Sequence, residues 1–544
     1  MATIRFQKKE VEKHIKLTEE NIGKIMMIGI PISLVDDEVE IEITPNRPDL
    51  LSMQGFLRAV NTYFKPSEQP KYRVHSAEKD FKVKIDSSVS EVRPYTACAI
   101  VKKLKLNDEN IKSIIDLQEK LHATVGRNRK KAAIGIYPLE KITLPITYEA
   151  KKPADIKFIP LESEKEMTGT QILQQHPTGR EYAKLLEGYP TYPTFVDAKG
   201  KILSMPPIIN NNETGRITET TKEVFIECSG SNLETLKKVL NIIVTTLADM
   251  GGEIYSMELD YGKNKIITPD LKPEKMSISL ENTNKILGLS LKEKDLEKLL
   301  PKMGYVYEKS RVSVPAWRTD ILHEVDVIED IAIAYGYENL VPEMPKISTI
   351  GQESQVSKIK RKISEILTGL GIIEVSSYHL IKADEVEKAN LQETEKMELE
   401  NSKTEYKFLR PNLIIPALRL LAENKDNEYP QKIFEIGTTF KRTKSTNSET
   451  GILESENLIL AFSPSNFTEI KQVLDYLARM TGTKYEIKES IHPHLIEGRT
   501  GEVLLDNKPI GYIGELHPET LREWNIKTPV SVLEISLEEI FKRF

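Results

Sequence analysis

Cysteine, tryptophan and long apolar runs are scarce in this chain. Only two cysteines, Cys98 and Cys228, occur in 544 residues, which excludes a disulfide framework and fits a reducing compartment. No apolar run approaches the roughly 20 residues that a membrane-spanning helix needs. The first residues, MATIRFQKKEVEKHIKL, carry charges throughout and do not resemble the apolar part of a secretory signal. The sequence therefore predicts a cytoplasmic protein without a membrane segment.

Several catalytic motifs are also missing. The chain contains neither G-x-x-x-x-G-K-S/T nor G-x-G-x-x-G, so it has no P-loop and no dinucleotide fingerprint. It has no G-x-S-x-G nucleophile motif, and no H-E-x-x-H or C-x-x-C pair that would indicate zinc. The net charge of −6 is not that of a protein whose whole surface binds nucleic acid, so such binding would need local basic patches.

The remaining composition is that of an ordinary multidomain protein. With 39% hydrophobic and 29% charged residues, the chain can build several cores. Strand and helix patterns are mixed without strict βαβ repetition, which predicts an α+β fold. Four domains are expected, at residues 1–75, 76–262, 270–345 and 355–544, with an α/β pattern in the second and an antiparallel sheet in the last. The segment 341–355, which contains Pro, Ser and Gly, is predicted to be a linker.

The stretch VPAWRTDILHEVDVIEDIAIAYGYENL is unusually rich in acid. Its four central carboxylates are Asp320, Asp326, Glu329 and Asp330. The last three have i, i+3, i+4 spacing, so they share one face of a helix that should end at Gly336. Repulsion between like charges indicates a compensating partner, either a hard cation with oxygen ligands or a basic surface. The alternative is a solvated helix start whose carboxylates complement the helix dipole. Arg318 is a candidate internal ion-pair partner.

Two shorter charged segments have structural and functional interpretations. Arg127, Arg129, Lys130 and Lys131 form a basic cluster after a predicted helix, which could neutralise nucleic-acid phosphates or could be a solvated turn. In Asn46-Arg47-Pro48-Asp49 the charged residues are expected to fix a turn rather than bind a ligand. Asp49 is also a candidate N-cap of the helical pattern that follows it.

Five segments, taken in order, resemble one family. They are EITPNRPDLLS (Glu42 to Ser52), SMPPIINNNETGRIT (Ser204 to Thr218) with EVFIECSG (Glu223 to Gly230), the acidic stretch, FEIGTTF (Phe434 to Phe440) and GYIGELHPE (Gly511 to Glu519). Together they resemble the β subunits of phenylalanyl-tRNA synthetase in their shorter archaeal and eukaryotic form. The matches cover nearly the whole chain, and five in family order are far more specific than any one alone.

The resemblance implies a function for the whole assembly. Two α and two β subunits would attach phenylalanine to its tRNA, using ATP and Mg²⁺, with the adenylate-forming site in the α subunit. The β subunit would contribute assembly, tRNA contacts and editing. Residues 76–262 would be an α/β editing domain, 270–345 a small magnesium-associated domain, and 355–544 a class II synthetase-like sheet domain without catalytic residues. The segments 409–411 and 434–437 indeed lack the arginine pair that class II activation needs.

The resemblance also implies site residues. The four carboxylates would bind magnesium. In the editing pocket Glu227 would accept the tyrosyl hydroxyl, helped by Ser229, with Ser204 and Arg216 as further polar positions and Phe195 in the apolar wall. Relatives commonly have Asp or Thr where this chain has Glu227 and Ser229, which puts the degree of tyrosine selectivity in question. The alternative for Glu227 is an exposed strand carboxylate. Cys228 should face the opposite side of the strand, in the core.

The expected function is therefore that of a β subunit that also hydrolyses tyrosyl-tRNA, because a second sieve supplies discrimination that binding alone does not. One alternative is a tRNA- or protein-binding scaffold that has lost editing. Another is a magnesium-dependent phosphoryl-transfer enzyme built on the acidic cluster. The lack of a phosphate-binding loop or a second cluster of metal ligands weighs against that enzyme.

Overall fold

A computed structural model describes residues 2–262, 264–344, 351–389, 391–392, 395–400, 402–443 and 450–543. The chain divides into two compact units, Met1–Met344 and Pro345–Phe544. Part of the predicted linker, residues 345–350, lies outside the described residues. Both units mix helices with largely antiparallel sheets, so the α+β prediction is confirmed. No helix within the described ranges has the length and apolar character to cross a membrane.

Helices are distributed along both units. In the first unit the α-helices are Lys8–Glu12, Glu19–Met27, Met53–Phe64, Asp108–Ala123, Gly169–Gln175, Pro177–Tyr182, Leu233–Asp249, Leu280–Leu287, Glu293–Leu299 and Glu324–Tyr335. In the second unit they are Gln355–Gly369, Ala383–Lys388, Ile414–Glu423, Phe467–Thr481, Pro518–Glu523 and Glu538–Phe541. Short 3₁₀ turns occur at Pro48–Leu50, Ser87–Val89, Leu139–Lys141, Ala183–Leu185, Leu300–Met303 and Tyr337–Asn339.

A large sheet organises the first unit. Its main path runs through the strands Ile209–Asn210, Ile202–Met205, Tyr192–Val196, Ile146–Lys151, Lys82–Ile85, Glu253–Asp260, Tyr95–Lys102, Val224–Gly230 and Ala132–Pro138. Val74–His75 and Lys265–Thr268 also pair with Glu253–Asp260. Smaller sheets join Ala2–Gln7, Glu38–Ile43 and Ile32–Val35; Glu274–Ser277, Arg311–Val314 and Val306–Glu308; and Lys157–Phe158 with Met167–Thr168.

The second unit is built on a seven-stranded sheet. The strands in order are Ile373–Glu374, Gln431–Arg442, Ile452–Ser463, Ser531–Ser536, Lys508–Leu516, Leu495–Leu505 and Tyr485–Glu489. Every pairing is antiparallel except that between Ile373–Glu374 and Gln431–Arg442. A separate two-stranded pair joins Leu380–Lys382 to Tyr406–Leu409. The antiparallel sheet expected in this part of the chain is therefore present.

The strand Val224–Gly230 contributes residues both to the hydrophobic core and to the opposite face of the sheet, where the candidate site lies. Its alternate residues Ile226 and Cys228 belong to the hydrophobic core that also includes Leu236 and Leu240 of helix Leu233–Asp249. That helix begins at Asn232, whose side chain accepts the Thr235 backbone N–H. Since successive strand side chains point to opposite faces, the residues between these apolar ones lie on the other side of the sheet. Cys228 thus packs in the core, as predicted.

Candidate functional site

Glu227 lies deep in the large sheet of the first unit. Its backbone is paired with Cys98 on one neighbouring strand and with Gly135 on the other. The residue is only 2% exposed, so it is not an exposed strand carboxylate. A buried carboxylic acid needs hydrogen-bond partners or must give up its charge, and the residues around it show which of these applies.

Tyr137 is a polar neighbour of Glu227. Its hydroxyl lies 3.2 Å from Glu227 Oε1 and 3.1 Å from Asn210 Oδ1. The single phenolic proton can be donated to only one of these oxygens at a time. Gly135 leaves the space for this contact, because a Cβ there would lie 2.3 Å from the Tyr137 hydroxyl and 2.6 Å from Glu227 Oε1. The glycine therefore allows ring and carboxyl group to meet.

The electrostatic environment of Glu227 favours its protonated form. Burial raises the pKa of Glu227 to about 8, although the charge of Arg93 and nearby hydroxyl groups act in the opposite direction. Burial also raises the pKa of Tyr137 well above its usual value. At neutral pH the Glu227 carboxyl is thus mostly uncharged and can both donate and accept a hydrogen bond.

Two oxygen atoms in this region lack a hydrogen-bond partner among the residues that the structure describes. Glu227 Oε2 and Ser204 Oγ are both buried and make no hydrogen bond to any described residue. Both residues are close to the Tyr137 hydroxyl: Glu227 lies 3.2 Å from it, and Ser204 approaches it closely enough to act to lower its pKa without meeting the geometry of a hydrogen bond. Leaving a buried polar group without a partner costs about 1–3 kcal/mol, so a ligand hydroxyl that satisfied these atoms would gain that energy.

Phe195 supplies an apolar side chain to the same buried region. It is fully buried and stacks on Tyr148, with ring centroids 4.4 Å apart and planes 19° from parallel. Phe195 is also paired in register with Ser204 on the adjacent strand. The same hydrophobic cluster includes Cys98 and Tyr137. The fold therefore brings Phe195, Ser204 and Glu227 into one region.

Arg93, which the sequence patterns did not single out, holds the remaining pocket residue. Its Nε donates to Ser229 Oγ at 3.1 Å and its Nη2 donates to the Ser229 carbonyl at 2.5 Å. The Tyr148 hydroxyl donates to the Arg93 carbonyl at 2.8 Å. Burial lowers the pKa of Arg93, and the neighbouring Tyr148 and Glu227 oppose that shift. Arg93 thus places positive charge beside the buried acid.

Arg216 differs from the other predicted pocket residues because it is exposed. Its carbonyl accepts a hydrogen bond from Lys141 Nζ at 3.2 Å. Across the described part of the chain, no hydrogen bond or ion pair joins the Arg216 side chain to Glu227. Four of the five predicted residues are therefore close together, and a role for Arg216 in the pocket stays a prediction.

The acidic stretch forms a buried ion-pair cluster around Arg318. Arg318 Nε and Nη2 bond to the two carboxylate oxygens of Asp320 at 2.9 and 2.7 Å, and Nη2 also lies 2.7 Å from Asp330 Oδ2. The Tyr305 hydroxyl donates to the same Asp330 oxygen. Burial acts to raise the pKa of Asp320, but the hydrogen bond and charge of Arg318 outweigh it and the pKa lies below its usual value. Arg318 is therefore the ion-pair partner that the sequence suggested.

The other two predicted metal ligands lie in different environments. Asp326 Oδ2 accepts the backbone N–H groups of Leu322 and His323 at 2.8 Å each, which closes the start of helix Glu324–Tyr335. Glu329 is exposed. Within the described ranges, no group of three or more His, Cys, Asp or Glu side chains is arranged to hold a metal ion. This arrangement does not fit a magnesium ion held directly by all four carboxylates.

The basic cluster forms a tight turn in which the cationic side chains differ in their exposure to solvent. Arg127, Asn128 and Arg129 have consecutive positive φ angles of 48°, 52° and 67°, a conformation that non-glycine residues rarely adopt in series. Arg129 is held internally: its Nη1 donates to the Ile208 carbonyl at 2.8 Å, and its guanidinium lies 4.3 Å from the centre of a tyrosine ring. Arg127 and Lys130 are exposed. Lys131 is half-buried.

Two family models match consecutive parts of the chain. Residues 276–337 match the tRNA synthetase B5 domain. Residues 340–537 match the phenylalanyl tRNA synthetase beta chain CLM domain. Both models describe tRNA synthetase chains, so the class of protein is an aminoacyl-tRNA synthetase subunit.

Full-length relatives agree with these models. Phenylalanine–tRNA ligase beta subunits from Thermococcus sibiricus and Pyrococcus furiosus are 38% and 39% identical over 505 residues, covering 91% of this chain and 90% of each relative. That of Archaeoglobus fulgidus is 36% identical and covers 98% of this chain and 97% of the relative. The crystal structure of an N-terminal fragment of the phenylalanyl-tRNA synthetase beta subunit from Pyrococcus horikoshii superimposes with a TM-score of 0.58 at 36% identity, covering 61% of this chain and 99% of the fragment. The chain belongs to the family of phenylalanine–tRNA ligase beta subunits.

Proposed function

We propose that this chain works with a separate α subunit, as two α and two β subunits, to attach phenylalanine to its tRNA. ATP and Mg²⁺ would act in the synthetic site of the α subunit. The β subunit would contribute assembly, tRNA contacts and hydrolytic editing of tyrosyl-tRNA for phenylalanine. The observation that carries the editing proposal is the pair of buried, unpartnered oxygens at Glu227 and Ser204.

A tyrosyl group is the ligand that this pocket chemistry favours. Its ring is apolar and would suit a site beside Phe195, which belongs to a hydrophobic cluster. Its hydroxyl could donate to one unpartnered oxygen and accept from the other. Phenylalanine lacks the hydroxyl and would leave both oxygens without a partner. A site built around a buried hydroxyl contact rejects the analogue that lacks it, because the penalty for unpaired polar groups is then not relieved.

The environment of Arg410 supports the absence of amino-acid activation in the C-terminal unit. Arg410 is 1% exposed. Its Nη1 lies 2.8 Å from Glu435 Oε1, and its Nε donates to the Thr438 carbonyl at 2.8 Å. A guanidinium held this way is not available to offset phosphate charge. Together with the family resemblance, this supports our proposal that residues 355–544 form a class II synthetase-like domain without catalytic residues, which packs against α.

The exposed part of the basic turn is proposed as a tRNA contact. Arg127 and Lys130 could each neutralise a phosphate without reading sequence. Arg129 would instead hold the turn in place, since its guanidinium is bonded internally. Lys131 is half-buried, so it would be a weaker contact than its exposed neighbours.

The decisive experiment for editing uses the complex with the α subunit of the same organism. We expect the complex to charge tRNA with phenylalanine and to deacylate tyrosyl-tRNA. In Glu227→Ala, we expect deacylation to fall by about 10- to 100-fold, from the loss of a buried hydrogen-bonding group. Charging should be unchanged. Glu164→Gln, at an exposed position, is the matched control.

Two results would contradict parts of this proposal. If the complex charges tRNA but never deacylates the tyrosyl product, the editing assignment is wrong and the scaffold alternative replaces it. If Glu227→Ala deacylates at the normal rate, the pocket is not the editing site even though editing occurs. Intact charging by each variant complex shows that a loss of deacylation does not come from misfolding.

A further inference from the structure

Three oxygen atoms form a chain that ends at the buried carboxyl group of Glu227. Asn210 is half-buried, whereas Tyr137 and Glu227 are 0% and 2% exposed. The Tyr137 hydroxyl lies between the other two groups, 3.1 Å from Asn210 Oδ1 and 3.2 Å from Glu227 Oε1. These two contacts share a single phenolic proton. The direction of both hydrogen bonds therefore depends on which oxygen receives that proton.

The backbone leaves room for a side chain at each end of this chain of oxygens. Asn210 belongs to a short edge strand, where it is paired in register with Ser204. A Cβ at Gly215 would lie 2.8 Å from the Asn210 Cβ. At the other end, a Cβ at Gly135 would collide with both the phenol and the Glu227 carboxyl group. Two glycines thus allow the three polar side chains to meet.

The two possible directions have different consequences for Glu227. If the phenol donates to Glu227 Oε1, that oxygen acts as an acceptor and the ionised carboxylate is favoured. Asn210 Oδ1 then receives no proton from the phenol. If the phenol donates to Asn210 Oδ1 instead, the Tyr137 oxygen can accept a proton from Glu227 Oε1. Only the second direction makes a hydrogen bond at both contacts, and it requires a protonated Glu227.

The groups around Glu227 are compatible with the second direction. The charged and titratable side chains that interact with it electrostatically are Arg93, Tyr137, Tyr148, Cys98 and Cys228. Burial raises the pKa of both tyrosines and both thiols above their usual values, so these four groups are neutral at pH 7. The charge of Arg93 acts against protonation of Glu227, but burial outweighs it and the pKa of Glu227 is about 8.

We propose that Asn210 and Tyr137 are positioning residues for editing: the Asn210 carbonyl takes the phenolic proton, and Tyr137 accepts the proton of Glu227 and keeps it on Oε1. Glu227 Oε2, which has no hydrogen-bond partner among the described residues, is then an oxygen that can only accept. A tyrosyl hydroxyl can donate to it and a phenylalanyl ring cannot. The role in editing rests on the function proposed above, whereas the position of the proton does not.

The pH dependence of deacylation by the complex with α tests this role. We expect kcat/KM for tyrosyl-tRNA, corrected for hydrolysis without enzyme, to fall as the pH rises through about 8, because Glu227 loses its proton. Asn210→Leu removes the acceptor, so the phenol donates to Glu227 and stabilises the ionised form. The midpoint of the profile should move down by about 0.5–1 pH unit, which corresponds to one hydrogen bond. Asn210→Asp keeps an acceptor and should not lower the midpoint.

Further variants separate this role from a general loss of structure. Asn212→Leu is the matched control, because Asn212 is also half-buried and its side chain donates to the Ser163 carbonyl instead. It should keep the wild-type midpoint. In Tyr137→Phe, adding Asn210→Leu should move the midpoint no further, because Asn210 acts through the phenol. The proposal is wrong if Asn210→Leu keeps the wild-type midpoint, or if it lowers the midpoint equally with and without the phenol.

Infrared spectroscopy locates the proton without reference to editing. The carbonyl band of a protonated carboxylic acid, taken from the difference between the complex and its Glu227→Gln variant, should disappear as the pH rises through about 8. In the Asn210→Leu background the same difference should lose the band at a lower pH. This shift without any deacylation would support the position of the proton and refute only the editing function. Deacylation without the band at neutral pH would overturn the proposal and leave editing in place.

Discussion

Two carboxylic acids in the first unit are both buried, yet their pKa values shift in opposite directions. Glu227 is 2% exposed, and burial raises its pKa to about 8. The Asp320 side chain is 8% exposed, yet its pKa lies below its usual value. The difference is the position of the nearest guanidinium. Arg318 bonds to both oxygens of Asp320, whereas Arg93 bonds to Ser229 and affects Glu227 only through its charge.

The comparison separates structural acids from acids available to a ligand. Where a cation bonds to both carboxylate oxygens, the carboxyl group is charged and both of its oxygens have a hydrogen-bond partner. Such a group stabilises the folded structure. Where one oxygen has no partner, the group is neutral and can still form a hydrogen bond. Burial alone does not distinguish the two cases, but the hydrogen-bond partners do.

The largest change in stability should come from removing Arg318, the cation that pairs with Asp320 and Asp330. Arg318→Met leaves Asp320 and Asp330 buried without their partner, which should lower the free energy of unfolding by about 3–5 kcal/mol. Urea unfolding of the complex or of the full chain measures this. Arg5→Met removes an ion pair to Glu40 whose arginine side chain is 64% exposed, and should cost no more than about 1 kcal/mol.

Adding Mg²⁺ to the Arg318→Met variant tests the same pairing in a second way. If Asp320 and Asp330 serve as internal partners of Arg318, adding Mg²⁺ should not restore the stability of Arg318→Met to the wild-type value. Full restoration by millimolar Mg²⁺, abolished by Glu329→Gln, would show that the acidic cluster can act as the metal site that the family resemblance implies.

A pH dependence of comparable size should come from Glu227. The folded state keeps the proton up to a pKa of about 8, whereas the unfolded chain releases it near 4.5. Between these values the unfolded state binds fewer protons, so stability falls as the pH rises, by about 1.4 kcal/mol per pH unit. The contribution is complete below pH 4.5 and lost above about 8. The difference in unfolding free energy between wild type and Glu227→Gln, measured from pH 5 to 8, should show this slope.

The control for the pH experiment is Glu164→Gln, because Glu164 is exposed. Its unfolding free energy should follow that of wild type across the same range. A flat difference between wild type and Glu227→Gln would mean that Glu227 is ionised in the folded protein. The comparison between the two acidic sites would then fail.

The smallest effect should appear at the basic turn, where exposed and internally held charges can be compared. Arg127→Gln with Lys130→Gln should weaken tRNA binding by roughly 3-fold per lost phosphate contact and should lower the slope of log Kd against log salt by about 0.7–0.9 per contact. Filter binding over a salt series measures both. Lys24→Gln should change neither quantity, and an unchanged slope in the double variant would exclude the turn as a phosphate contact.

Part of this architecture follows from local sequence patterns. Strand alternation is enough to separate Glu227 from Cys228, and the structure places Cys228 in the core. The acidic helix was also predictable from its spacing, and it ends before Gly336 as expected. Local rules failed at Asp49, the expected N-cap of the next helix. The cap is Ser52, which accepts the Gly55 N–H, because Asp49 is engaged by Arg47.

The polar partners in the pocket could not be predicted in the same way. Arg93 and Tyr137 lie on segments far from Glu227 in sequence, and no motif marks them, whereas Asn210 falls within the segment Ser204 to Thr218. They meet because the sheet pairs distant strands, with Gly135 opposite Glu227. Likewise, the sequence identifies four carboxylates near residue 320 but cannot show that Arg318 takes up two of them. Pairing of this kind depends on tertiary packing rather than on spacing.

Arg93 also joins the pocket to the basic turn. The nitrogen that donates to the Ser229 carbonyl donates to the Arg129 carbonyl at 3.1 Å as well. The two places therefore share one hydrogen-bonded arginine, and any coupling between their occupancies through it would be reciprocal. If an aminoacyl group in the pocket changes the affinity of the turn for phosphate by some factor, phosphate bound at the turn changes the affinity of the pocket for the aminoacyl group by the same factor.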